Sequence, residues 1–151
     1  MPRGSVAGVV AAGAWAVAEP LGRRLVGPPR GYSDLRLLGA PVTQGRLWRP
    51  LGLLLHLANG AVFGALFERA GGCGPKQGLL AAQAENLALW PCMGIVDRVH
   101  PDRRSGAWPP LLTNGRVFAY EAVMHAVFGV VLGLLTPPRA RVACLTGAQI
   151  G

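Results

Sequence analysis

The chain has 151 residues and a mass of 15.8 kDa, about the size of one domain. Only 15% of its residues are charged and 51% are apolar, with a mean hydropathy of +0.35, so a soluble fold would lack the charge to cover its surface and intrinsic disorder is excluded. Three cysteines without a C-x-x-C pair exclude a disulfide-framework miniprotein and a zinc ribbon, and the net charge of +8 does not mark a nucleic-acid binder, because its fourteen arginines and single Lys76 lie in short segments between apolar runs.

In chain order, four segments approach the roughly 20 apolar residues that a bilayer-crossing helix needs: about 5–22, 48–67, 78–96 and 117–135. No alternating strand pattern competes, and lipid admits only helices or closed barrels, so the expected fold class is all-α, an integral membrane four-helix bundle. Residues 1–18 also resemble a cleavable leader, with Arg3, an apolar core and Ala16-Val17-Ala18, but an uncleaved first helix fits the repeat described below better. Pro20 removes the helical partner of the Ala16 carbonyl, which reads as an ordinary helix end with Arg23 and Arg24 at the interface. Pro91 is a possible early stop for the third helix.

The loops decide orientation, since cytoplasmic loops retain more Lys and Arg. The 23–49 loop and flanks carry Arg23, Arg24, Arg30, Arg36, Arg46 and Arg49, and the 98–116 loop carries Arg98, Arg103, Arg104 and Arg116. The composition, rich in Arg, Ala and Gly, fits a GC-rich bacterial genome. The expected location is therefore a bacterial inner membrane, with basic loops cytoplasmic and both termini outside.

The sequence repeats itself. Ala18-Glu19 recurs as Ala84-Glu85, Asp34-Leu35-Arg36 as Asp102-Arg103-Arg104, and Thr43-Gln44-Gly45-Arg46 as Thr113-Asn114-Gly115-Arg116. His56-x3-Gly60-x3-Gly64 recurs as His125-x3-Gly129-x3-Gly133. Four matches in one order predict a duplication: a first hairpin over 1–70, a second over 71–136 in parallel repetition, and a flexible tail over 137–151. Gly60, Gly64, Gly129 and Gly133 are expected to let helix backbones approach closely, and the four-residue phase places His56 and His125 on the same faces.

Ionisable residues inside apolar spans are costly, about 2.5 to 3.5 kcal/mol each at mid-bilayer, and so point to function. Here they are Glu19, His56, Glu85, Glu121 and His125, with Asn59 and Asn86 beside them. They are expected to meet in one polar centre that binds a cation or relays protons. Glu121 lies four residues before His125, so its carboxylate is expected to select the imidazole tautomer. The alternative is an accessory subunit whose polar residues only fix helix packing, as a homo-oligomer or within a larger membrane complex. A third reading is an intramembrane metalloenzyme using a divalent metal on His56, His125, Glu85 and Glu121, although the Glu-x3-His spacing differs from the Glu-x-x-His of di-iron bundles.

Several smaller expectations complete the reading. The Thr-[Gln/Asn]-Gly-Arg elements should form capped turns with Gly in an unusual backbone conformation, leaving Arg46 and Arg116 for anionic lipid phosphate. Trp15, Trp48, Trp90 and Trp108 are expected near the membrane interfaces, and His100 in solvent. Cys73 and Cys144 share the exported side, where a disulfide is permitted. No nucleophile elbow, Walker loop or dinucleotide fingerprint is present.

Overall fold

In a computed structural model of the chain, residues 3–43 and 45–137 are described; the expected tail, with Cys144, lies outside them apart from its first residue. Helix α1 (Arg3–Val26) leads through a loop to the short α2 (Asp34–Gly39) and then to α3 (Trp48–Arg69). After a tight turn follow α4 (Gly74–Leu89), a 3-10 turn at Trp90–Cys92, α5 (Met93–Val99), the one-turn α6 (Pro101–Arg104) and α7 (Gly115–Leu135). The described residues are all-helical, without strands. Four helices are long and apolar enough to cross a membrane, the third being α4 continued through α5.

Proline acts differently at its two sites. Pro20 does not end α1, which continues to Val26, so the expected helix end there is corrected. Pro91 does interrupt the third helix, where the missing N–H and the ring clash convert one turn to 3-10 geometry.

Glycine sets the helix pairing. α1 and α3 run antiparallel with Gly4 and Gly8 against Gly64 and Gly60, so close that a Cβ on Gly8 would overlap the Gly60 carbonyl oxygen. α4 and α7 repeat the arrangement with Gly74 and Gly78 against Gly133 and Gly129. The four expected packing glycines thus do meet another backbone, and each pair has a Gly-x3-Gly partner. Measured from these crossings, Glu19 lies eleven residues beyond Gly8, but Glu85 only seven beyond Gly78, so these two glutamates sit on different helical turns.

α1 also packs on α7, where Gly22 admits the Met124 side chain. The helix order is therefore α3, α1, α7, α4, and the core is built from Ala11, Ala12 and Trp15 of α1 with Val117, Tyr120, Met124 and Leu132 of α7. Large apolar side chains face outward, among them Val17 at 83% and Leu25 at 72% exposure.

Helix ends are capped by side chains. Ser33 accepts from the Arg36 N–H, Asn114 from the N–H groups of Arg116 and Val117, and Glu68 reaches across from α3 to accept from the Gly4 N–H at 2.7 Å. The capping expected of Asn114 is thus present. The unusual glycine conformation is not found at Gly115, which has no positive φ because it already belongs to α7.

Candidate functional site

A cavity of about 320 Å³ lies between α3 and α4, which pack little on each other. Six of the seven residues expected at a polar centre line it: His56 and Asn59 from α3, Glu85 and Asn86 from α4, Glu121 and His125 from α7. Glu19 does not. It is buried, but turns to a second pocket at the arginine-rich end, where its carboxylate stands 3.6 Å from Arg23. The reason is helical phase, since the glycine crossing places Glu19 one turn further along α1 than Glu85 along α4.

The position level with Glu85 on α1 is Trp15. Its indole lies edge-on between the two imidazoles, 5.2 Å from His56 and 4.7 Å from His125 by ring centroids. Its Nε1–H donates to Asp34 at 2.5 Å. Trp15 is therefore a buried organiser of the centre, not the interfacial anchor expected from its sequence position.

Asp34 also lines the cavity, because α2 folds back against α3 and brings its first residue under the bundle; Gly52 makes the approach possible, as a Cβ there would overlap the Leu35 carbonyl oxygen. Asp34 and Glu121 are both buried and line the same cavity, and their carboxyl groups are close enough to act on each other. Tyr32 donates its hydroxyl to Glu121 Oε1 at 2.6 Å. Burial, followed by the neighbouring Glu121 and Glu19 carboxylates, raises the Asp34 carboxyl well above the usual carboxylate range. Burial, again with Glu121 and Asp34 nearby, likewise raises the Tyr32 hydroxyl. Two neighbouring buried carboxyl groups hold one proton between them more readily than two charges.

The histidines are each fixed by a backbone carbonyl. His56 Nε2–H donates to Ala12 O at 3.2 Å, and His125 Nδ1–H donates to Glu121 O at 2.8 Å. The His125 tautomer is thus set by the Glu121 carbonyl one turn earlier, while the Glu121 carboxylate, expected to do this, stands 3.9 Å away. Asn59 of α3 reaches the Glu85 carboxyl of α4, and the buried Asn86 Nδ2 has no hydrogen-bond partner among the described residues. Among the described residues no arginine or lysine lines the cavity, although the chain as a whole carries +8.

Among the described residues, no three His, Cys, Asp or Glu side chains gather as a metal-ligand set, His56, His125, Glu85 and Glu121 included. Among the described residues, Cys73 and Cys92 form no disulfide.

Below the cavity, the two loops lock together. Arg36 donates from Nε and Nη2 to the two oxygens of Asp102, both at 2.6 Å, and lies over the Trp48 ring at 5.2 Å. This guanidinium holds the Asp102 carboxyl below the usual range. His100, expected in solvent, is only 1% exposed: its ring stacks on Trp108 at 4.5 Å, accepts from the Asp102 N–H and faces Arg36 O at 3.4 Å. Trp108 too is buried, against Tyr32 and His100, so a loop position did not make either residue an interface or solvent group. Arg46 and Arg116 are exposed.

Sequence reasoning missed Asp34, Tyr32 and the ordering role of Trp15. The available signal was Ser33-Asp34 at the start of a short helix, which marks a cap but not the direction in which that helix folds. Compared with known proteins, the chain matches no family model, no curated protein and no solved structure.

Proposed function

We propose that this protein is an integral membrane module that binds a small cation in exchange for a proton at the Asp34–Glu121 pair. The observation that carries the reading is a buried carboxyl pair opening on a cavity with a third carboxyl, Glu85, and, among the described residues, no cationic side chain. Such a wall attracts positive charge, and at about 320 Å³ the space is at the small end of ligand pockets, which run from roughly 300 to 1,000 Å³. A cation entering beside Glu85 and Glu121 replaces the shared proton as the counter-charge. The unpartnered Asn86 N–H calls for an acceptor, either a water or a ligand oxygen, in the same space.

The membrane setting is supported by the four long apolar helices and their outward-facing Val and Leu side chains. The matched Gly-x3-Gly crossings support a duplicated hairpin, and the arginine-rich loops support a cytoplasmic position for the α2 and α6 end in a bacterial inner membrane, with exposed Arg46 and Arg116 near anionic headgroups. A packing role is favoured for the two histidines alone, because their rings already donate to backbone carbonyls.

Reconstituted vesicles containing a pH-sensitive dye test the exchange. An inward gradient of sodium, potassium or methylammonium chloride should drive proton release with wild type. Asp34→Asn and Glu121→Gln should each slow it by about tenfold or more, the factor that roughly 1.4 kcal/mol of lost binding represents. Wild-type vesicles indistinguishable from empty ones for all three cations would overturn the proposal.

A further inference from the structure

The second pocket, about 600 Å³, lies further along α1 than the acidic cavity, toward the C-terminal end of that helix, and is lined by four arginines: Arg23 and Arg24 in the last turn of α1, Arg36 on α2 and Arg49 in the first turn of α3. One carboxylate, Glu19, lines it as well, held only loosely by Arg23 at 3.6 Å. Arg36 spends two nitrogens on Asp102, and among the described residues its Nη1 makes no hydrogen bond. Arg24 and Arg49 are exposed and form no ion pair among the described residues. The pocket therefore keeps a positive excess, in contrast to the acidic cavity beside α4.

We infer that this pocket is an anion site for a phosphate group, taken from the headgroup of an anionic lipid. Guanidinium forks bind phosphate oxygens in pairs, and a concave cluster of them lets one phosphate meet several. The location selects the source. The arginines stand where the apolar lengths of α1 and α3 end, and Leu21, Leu25 and Leu47 beside them are exposed, so a headgroup in the pocket would lay its acyl chains along apolar surface. A free phosphate offers the same chemistry without that second contact.

The test uses the full chain purified in a non-ionic detergent and titrated with dioctanoyl phosphatidylglycerol, dioctanoyl phosphatidylcholine or inorganic phosphate, followed by tryptophan fluorescence and by native mass spectrometry. The anionic lipid should bind roughly tenfold or more tightly than the zwitterionic one. Arg24→Gln and Arg49→Gln should each weaken it about fivefold, and the double variant about 25-fold. The charge-matched Arg69→Gln/Lys76→Gln variant, exposed at the other end of the bundle, should change it by less than about twofold. Because Arg24 and Arg49 are exposed and make no ion pair among the described residues, their loss should leave the fold intact, checked by an unchanged elution profile and melting temperature without lipid. Inorganic phosphate that binds the wild type as tightly as the lipid and is lost in the Arg24/Arg49 variant would keep the anion site but reassign its source to soluble phosphate. Equal binding of the two lipids, or equal weakening by the two double variants, would overturn the site.

Discussion

Replacing Arg36 by methionine removes the two 2.6 Å bonds to Asp102 and leaves a carboxylate that is only 6% exposed without its counter-charge. Breaking a fully buried pair typically costs about 3–5 kcal/mol. The Arg36 side chain is 35% exposed, so water takes over part of its role, and we expect about 2 kcal/mol instead. For a chain of this length that lowers the melting temperature by about 4–8 °C. The assay is thermal unfolding in detergent by tryptophan fluorescence, since Trp48 under Arg36 and Trp108 beside His100 report on this corner.

A double-mutant cycle with Asp102→Leu isolates the pair, because the loss of the Arg36–Trp48 contact is common to both arms and cancels. The coupling should be about 1–2 kcal/mol. The sign with pH is also fixed. Arg36 depresses the Asp102 carboxyl, so the stabilisation is full above its unfolded value near 3.8 and is lost as pH falls below it toward the folded value. The gap between wild type and Arg36→Met should accordingly stay level from pH 5 to 8 and shrink below about 4. Additivity of the two single variants within about 0.5 kcal/mol would refute the claim that this bond locks the loops.

Asp34 should behave in the opposite sense: its raised carboxyl contributes stability that is full below about pH 3.8 and declines as pH rises toward the folded value, so Asp34→Asn should flatten that decline in a pH series of melting curves. His100 is held below its usual 6.5 by burial, so its neutral ring favours the fold above that pH, and His100→Gln should remove a loss of stability seen as pH falls from about 6.5. Gly8→Val and Gly78→Val each place a side chain against a facing carbonyl and should lower stability by at least about 2 kcal/mol, whereas Gly13→Val, with nothing near its Cβ position, should stay within about 0.5–1 kcal/mol in the same melt. Trp15→Phe keeps the ring between the imidazoles but strips Asp34 of its 2.5 Å donor; proton release by vesicles should fall while the elution profile is unchanged.

The number and apolar character of the long helices were legible in the sequence, because hydropathy and length are summed over twenty residues and do not depend on neighbours. The Gly-x3-Gly stripes and the phase shared by His56 and His125 were legible for the same local reason: helix periodicity alone puts residues four apart on one face. Which face meets which helix is a different matter, since it depends on where two backbones cross. That crossing moved Glu19 one turn out of the cavity and put Trp15 in its place. The loops concealed more, because α2 folds back on the bundle only when Gly52 admits its backbone and Arg36 reaches Asp102, sixty-six residues away. Composition determined that this chain hides a few titratable groups among apolar helices; only close packing at glycine and one ion pair between distant loops decided that Asp34 joins Glu121 and that four arginines gather elsewhere.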